Sequence, residues 1–520
     1  MSEVQNASID SSPGCVDLMV DRHVRAGRGD CVALIERGAE GRRVLSYRQL
    51  QALSLTAARE LDILLAGRRP GQRVALVGSA TLETVIYWLA AMRSQRLAFM
   101  VHPDLPAEHY EGLWQSYDPD LILADRTARQ PRAEAMTDLA TLAARKSAPA
   151  ATHAVGDIEA SFDLSPALVL ATSGSTGRPK LCAHSHRSFW EFERTVTRPM
   201  WGLCAEDKVL ASTGPFFSFG LQGLHAPLSV GACAVLLPEW GRHADFLDAI
   251  EAEAVTAFLA VPTLYHLLMA RAERAYDFSA LRLSFSAGER LPPAIRQRWE
   301  AWTGSRMLDS IGTTETFAPY LSETADGGAG LRRVEGFRYL ETPHAGDADA
   351  PSDAFTLDLS GGCLMLGYLR PGEAGAIEAA PASFPTRDLF VRAGEGLSFV
   401  SRDSERIKVA GYWVSPQELE AFLLDDKRVL KAAALPVVTA EGLTRLRAYV
   451  VATASGYVGA ALVEDLMKRA QSELRPKALR PDRIELVADI ATTPSGKLKR
   501  QELQGLVSHP AATAGAVLAG

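Results

Sequence analysis

The chain has 520 residues, 47% of them hydrophobic and 22% charged, with a net charge of −7. These values exclude global disorder, collagen-like repeats and a coiled-coil rod, and a length of this order makes about three or four structural units. With 55 basic against 62 acidic residues, nothing marks a nucleic-acid face. Six cysteines (Cys15, Cys31, Cys182, Cys204, Cys233 and Cys363) include no CxxC pair, which argues against a thiolate metal site and a disulfide framework and for a reducing cytosol. The opening stretch, MSEVQNASIDSSPGC, has no apolar segment of the secretory type, so a cytoplasmic location is expected.

In chain order, Arg73–Gly78 (RVALVG) reads as a buried strand, Thr81–Met92 as a helix with Val85, Ile86, Leu89 and Met92 near one face, and Leu97–Val101 as a strand. ALVLA, ending at Ala171, is a further strand. Val209–Pro238 carries no charge, but Gly214, Pro215, Gly220, Pro227 and Gly231 interrupt it. A membrane helix needs about 20 unbroken apolar residues, so this run reads as buried core and no membrane partner is expected. From Val255 the order becomes strand (VTAFLAV), helix opened by Pro262, strand (Leu281–Ala287), helix opened by Pro292 or Pro293 and closed by Gly304, and strand (Met307–Ile311). Repeated β-α-β order implies a parallel sheet covered by helices.

Asp326–Ser383 mixes Gly, Ala, Pro and Asp with short strands such as Cys363–Tyr368 and reads as a smaller β-rich subdomain. Beyond Val400, Ser415 and Glu418 have the spacing of a capping box, with Pro416 at the first helical position. Strands near Ala432–Val438, Arg445–Ala452 and Arg483–Val487, with a helix near Val458–Leu474, complete a compact α+β unit. The fold expected is therefore α/β. A large N-terminal domain (1–402) has parallel-rich sheets, covering helices and a small β-rich subdomain, and a small mobile α+β domain (403–520) follows.

Five segments carry chemistry. TSGSTGRPK (Thr172–Lys180) follows a strand directly. Its glycines and hydroxyls let backbone N–H groups approach an anion, which suits a phosphate-gripping loop, although it does not match GxxxxGK[ST]. SIGTTE (Ser310–Glu315) stands at the carboxyl end of a parallel strand, where ligands collect, and Glu315 suits Mg²⁺ bridging phosphates. SAGERLP (Ser286–Pro292) stands at another such end. In TRD (Thr386–Asp388) a carboxylate can accept from ribose hydroxyls, and Arg402 with Asp403 follows shortly after. PSGKLKR (Pro494–Arg500) places a lysine on a terminal loop. Taken singly, each also reads as a polar surface turn or a solvated charge cluster.

Together and in this order, over roughly residues 30–505, these segments resemble the acyl-adenylating superfamily of acyl-CoA synthetases, stand-alone adenylation domains and luciferase-like enzymes. TRD resembles the family's TGD ribose motif with Arg387 in place of Gly. SRDSERIKVAGYWVSPQELE resembles its hinge segment, and PSGKLKR its catalytic-lysine motif. FSAGERLP, DSIGTTETFAPYLSE and GPFFSFGLQG narrow the resemblance to benzoate-CoA ligases and related aryl-CoA ligases.

That resemblance implies ATP, Mg²⁺ and CoA as cofactors and a small aromatic acid as substrate. A carrier protein is the alternative thiol acceptor, and the chain is a monomer or homodimer. It implies Thr172, Ser173, Gly174, Ser175, Thr176, Gly177 and Lys180 around the pyrophosphate, and Gly288 with Glu289 along adenine. Asp309, Ser310, Ile311, Gly312, Thr313 and Thr314 line the nucleotide, Asp388 takes the ribose hydroxyls, and Arg402 the ribose–phosphate edge. Glu315 and Thr176 serve the metal, and Lys497 joins them as a catalytic residue bridging carboxylate and α-phosphate. The acid pocket draws on His184, Phe217, Ser218, Phe219, Gly220, Ala287, Gly312, Ala318 and Pro319. Its aromatic character is expected from Phe216, Phe217 and Phe219 with Phe317 and Tyr320. Ala318 stands where related ligases often have His. Asp403 is the expected hinge, and Lys408 and Gly411 face the CoA arm. No residue of Asp326–Ser383 is assigned a role.

Overall fold

The computed structural model describes residues 14–38, 41–66, 71–128, 133–146, 164–172, 179–238, 243–328, 330–344, 351, 353–372, 376–402, 406–409, 412–439, 443–453, 459–492, 498–499 and 503. Two large sheets organise the first 400 residues. In the nine-stranded sheet, six consecutive strands run parallel: Arg306–Ile311, Leu283–Ala287, Ala257–Ala260, Lys208–Ala211, Cys233–Leu236 and Val32–Gly38. In the eight-stranded sheet, Pro166–Ala171, Leu97–Val101, Arg73–Val77, Leu121–Ala124 and Glu134–Ala135 run parallel. The Arg73–Val77 run is buried at every position, as expected of a central parallel strand covered on both faces.

The expected β-α-β order is borne out. Thr81 opens the helix Leu82–Arg93 by accepting from the Thr84 N–H at 3.1 Å, and Leu82–Met92 is buried throughout rather than along one face. Pro262 and Pro293 open the helices Pro262–Ala270 and Pro293–Thr303, and Gly304 closes the second at φ +74°. The charge-free run Val209–Pro238 contains the helix Ser218–Val230, whose residues from Gly220 onward are all buried. No described helix is long and apolar enough to cross a membrane. One core joins both sheets and includes Leu76, Trp88, Phe189, Phe192, Trp201, Leu221 and Phe285. Burying each of the three phenylalanines contributes roughly 1.5–3 kcal/mol.

Two local expectations fail. Cys363–Tyr368 is not a strand, because only Gly367–Leu369 extends, and it pairs antiparallel with Leu181–Ser185 of the eight-stranded sheet. The smaller β-rich subdomain is present as an antiparallel sheet of Phe337–Pro343, Phe355–Gly361, Phe384–Ala393 and Gly396–Arg402, while Arg332–Arg333 and Gly367–Leu369 with Ile377–Ala379 join the nine- and eight-stranded sheets. The capping box at Ser415 does not form either. The Glu418 N–H donates to the Ser415 carbonyl at 3.0 Å, and the Ser415 hydroxyl donates to Gln417 Oε1 at 2.5 Å. Pro416 does occupy the first helical position, as expected.

The C-terminal unit packs the helices Pro416–Leu424 and Ala460–Glu473 with a three-stranded sheet, Val429–Val438, Thr444–Ala452 and Pro481–Leu486. It meets the larger part where His266 Nε2 donates to the Val429 carbonyl at 2.9 Å. Burial pushes His266 down to about 4, so the ring is neutral at pH 7.

Candidate active site

Two of the functional segments meet beside the large sheets, Lys180 just before Leu181–Ser185 and Glu315 just after Arg306–Ile311. Strands Pro166–Ala171 and Leu181–Ser185 form an antiparallel hairpin, closed by the Thr172 N–H donating to the Lys180 carbonyl at 2.8 Å. Ser173, Gly174, Ser175, Thr176 and Gly177 lie outside the described residues. Lys180 extends its ammonium over the Tyr368 ring, 5.0 Å from the centroid, and the Tyr368 hydroxyl donates to Glu315 Oε1 at 2.9 Å. Lys180 and Glu315, from different sheets, therefore converge through a residue that carried no expectation.

Glu315 sits in a single 3₁₀ turn, Thr314–Thr316. The Thr316 hydroxyl fixes this turn by donating to Thr313 O at 3.0 Å and Ala318 O at 2.7 Å. Among the described residues, no group of three or more His, Cys, Asp or Glu forms a metal cage. One carboxylate whose partner is a neutral phenol suits Mg²⁺, which takes one or two protein carboxylates and completes its shell with phosphate oxygens and water.

The preceding strand holds Asp309 to Ile311. Burial, reinforced by the Glu323 charge, pushes Asp309 up to about 7. The Ser310 hydroxyl is paired with that of Ser322 at 2.8 Å, and the Ile311 carbonyl accepts from the Tyr320 N–H at 2.9 Å. Gly312 packs closely on Pro319, since a Cβ there would lie 3.0 Å from Pro319 Cα. Thr313 is half-buried, and the Thr314 carbonyl accepts from His184. Gly288 turns at φ +84°. Glu289 Oε2 accepts from the Thr263 N–H at 3.0 Å and its hydroxyl at 2.7 Å, so this carboxylate is committed to the first turn of the helix Pro262–Ala270.

Asp388 is fully buried. Arg402 Nε donates to its Oδ1 at 2.8 Å, and the Tyr320 hydroxyl donates to its Oδ2. Arg387, where the resembling motif has Gly, adopts φ +59°. The left-handed conformation explains the usual Gly and costs a non-glycine residue roughly 1–2 kcal/mol.

Of the residues expected to line the acid pocket, Phe217, Ser218 and Phe219 are partly buried around the start of the helix Ser218–Val230. Ala287, Ala318 and Pro319 are buried. A Cβ on Gly220 would collide with the carbonyl oxygens of Thr213 and Gly214. The expected contribution of Phe317 and Tyr320 is corrected. The Phe317 ring is 1% exposed and caged in the core, stacked on His225 at 5.1 Å and edge-on to Phe189 at 4.9 Å. Tyr320 is spent on Asp388.

His184 is fully buried, its Nε2 2.9 Å from the Thr314 carbonyl. A carbonyl only accepts, so Nε2 carries the hydrogen, and burial pushes the ring down to about 4. Nδ1 is thereby left as a buried acceptor without a donor among the described residues. Lys408 is exposed on the short strand Ile407–Val409. Asp403, Gly411 and Lys497 lie outside the described residues. Sequence reasoning missed Tyr368 as a site residue and placed Tyr320 at the acid pocket rather than on Asp388. Gly367 beside Tyr368 carries a signal for the first, because Gly within a strand marks close backbone approach.

Several known proteins resemble the chain along most of its length. A 4-hydroxybenzoate–CoA/benzoate–CoA ligase of Rhodopseudomonas palustris is 29% identical over 93% of this chain and 92% of its own length. A benzoate CoA ligase structure from Burkholderia xenovorans LB400 superposes with a TM-score of 0.79 at 25% identity, covering 95% of this chain and all of the other. An anthranilate CoA ligase in complex with anthranoyl-AMP shares the fold with a TM-score of 0.83 at 22% identity, covering 97% and 99%. Residues 418–497 match the AMP-binding enzyme C-terminal domain. Residues 20–335, more than half of the sequence and containing the Lys180–Glu315 convergence, match the AMP-binding enzyme family, to which this chain belongs.

Proposed function

We propose that the chain is an ATP-dependent aryl-CoA ligase acting on a small aromatic carboxylate. The observation that carries this reading is the convergence of Lys180 and Glu315 on Tyr368, together with the buried Asp388 held by Arg402 and the partly buried Phe217 and Phe219. The similarity to benzoate, hydroxybenzoate and anthranilate CoA ligases supports it.

In the first half-reaction a carboxylate oxygen forms a bond to the α-phosphorus of ATP as the bond to pyrophosphate breaks, giving acyl-AMP. In the second, the CoA thiolate attacks the acyl carbon and AMP leaves. Both steps need positioning and charge neutralisation more than a covalent protein group. Lys180 and the 172–177 loop hold the pyrophosphate. Asp309–Thr314 lines the nucleotide with Gly288 and the Glu289 backbone beside it, Asp388 takes the ribose hydroxyls, and Arg402 takes the adjacent edge. Glu315 and Thr176 hold Mg²⁺, which when bound neutralises phosphate charge. Lys497 bridges carboxylate and α-phosphate.

The boundary lies at residues 402/403, with Asp403 as the pivot that exchanges Lys497 for the Lys408–Gly411 segment between half-reactions. The His184 Nδ1 acceptor favours an aromatic acid with an amino or hydroxyl hydrogen to donate.

ATP–pyrophosphate exchange and thioester formation with benzoate, 2-aminobenzoate, 2- and 4-hydroxybenzoate, hexanoate and palmitate test the reading, with CoA and a holo-carrier protein as rival acceptors. An aromatic acid with CoA is expected to give the highest kcat/KM. An aliphatic acid ahead of every aromatic one by tenfold, about 1.4 kcal/mol in transition-state binding, would overturn it.

A further inference from the structure

Tyr368 belongs to a segment that grips Glu315 at two points. The Met365 N–H donates to the Glu315 carbonyl at 2.8 Å, and three residues later the Tyr368 hydroxyl donates to Glu315 Oε1 at 2.9 Å. The segment is itself fixed on the eight-stranded sheet. Tyr368 pairs with Cys182, Gly367 pairs with Ala183, and the Leu366 N–H donates to the Ala183 carbonyl at 2.8 Å. On its other edge Gly367 pairs with Ala379, and a Cβ on Gly367 would collide with the Glu378 carbonyl oxygen. The sheet therefore holds the Tyr368 backbone in a register that leaves no room for a side chain at the preceding position.

The chemistry of the contact is directional. The Tyr368 hydroxyl points at a carboxylate oxygen, which only accepts, so the phenol is the donor. A neutral donor on Oε1 fixes the carboxylate without cancelling its charge, and Oε2 keeps its acceptor capacity. The Lys180 ammonium over the ring joins the phosphate-loop strand to the same tyrosine.

We propose that Tyr368 is a positioning residue that orients the Glu315 carboxylate for Mg²⁺ and links this carboxylate to the phosphate-binding Lys180. The inference rests on the proposed metal role of Glu315. Groups that orient a metal ligand from behind typically cost 10–100-fold in metal affinity when removed.

The test compares the full-length protein with Tyr368→Phe, Glu315→Gln and the double variant. Equilibrium binding of ATP is measured first in chelator and then against increasing Mg²⁺. Phenylalanine keeps the ring beneath Lys180, so ATP binding in chelator and the thermal midpoint should stay at the parental values. The Mg²⁺ concentration giving half of the metal-dependent gain in ATP affinity should rise about tenfold. In the Glu315→Gln background, Tyr368→Phe should add less than twofold, because its effect runs through the carboxylate.

An unchanged Mg²⁺ requirement in Tyr368→Phe, with a raised one in Glu315→Gln, would overturn the role of Tyr368 alone. An unchanged requirement in Glu315→Gln would overturn the metal role of Glu315 and with it this inference. An equal loss of ATP binding with and without Mg²⁺ in Tyr368→Phe, or a full additive effect in the double variant, would show that Tyr368 acts on packing or directly on nucleotide.

Discussion

The Tyr320 hydroxyl donates to Asp388 Oδ2 across the junction between the nine-stranded sheet and the antiparallel sheet that carries Asp388. With Arg402 on its other oxygen, the buried carboxylate is oriented and anchored to both sheets. Asp388→Asn is expected to weaken nucleotide binding roughly 10–100-fold, the range for a lost hydrogen bond to a charged group, and Tyr320→Phe by less. Equilibrium ATP affinity of the two variants decides. Equal, small effects would assign Asp388 to packing.

Gly220→Ala should damage the start of the helix Ser218–Val230, since the new methyl collides with the Thr213 and Gly214 carbonyls. Overpacking of this kind costs about 1–3 kcal/mol. Denaturant unfolding should show that loss, and KM for the acid should rise more than KM for ATP. A variant of parental stability would mean that the 213–220 turn relaxes freely.

Burial holds His184, His186 and His266 down to about 4 and His225 to about 3, against about 6.5 in an unfolded chain. Between those limits the unfolded state binds more protons, so stability falls as pH falls from 6.5 towards 4. Asp309, raised to about 7, acts in the opposite sense: its contribution is fully present at low pH and is lost as pH rises through 7. Thermal midpoints across this range should therefore drop on acidification. The drop should be shallower in His225→Gln and steeper in Asp309→Asn. A pH-independent midpoint would contradict the burial of these rings.

Lys497→Ala should lower adenylation on the order of 10²–10³ while thioester formation from preformed acyl-AMP persists, as expected for a donor that acts while charge builds on the α-phosphate. Equal losses in both half-reactions would make Lys497 structural.

Asp403→Pro should spare adenylation and block transfer to CoA, because proline fixes φ near −65° and prevents a pivot from passing between two conformations. Normal overall turnover would remove Asp403 from the hinge role.

By itself the sequence determined the local order. Apolar runs such as Arg73–Val77 and Leu283–Ala287 specify buried parallel strands, Pro262 and Pro293 start helices, and Gly304 stops one, because these signals lie within a few residues of the element they control. It also singled out Thr172–Lys180, Glu315 and Asp388 as candidates for phosphate, Mg²⁺ and ribose, from their residue types and their order along the chain. Tertiary structure decided which side chains meet. Tyr368 reaches Glu315 from 53 positions away and Tyr320 reaches Asp388 from 68, distances over which no local pattern operates. Phe317 has the residue type of a pocket wall, yet its φ of +59° turns the ring into a cage of His225 and Phe189. Ser415 and Glu418 have the spacing of a capping box, but the Glu418 amide finds the Ser415 carbonyl first. Packing across sheets settles these outcomes, since each side chain takes the partner that the folded backbone brings within reach.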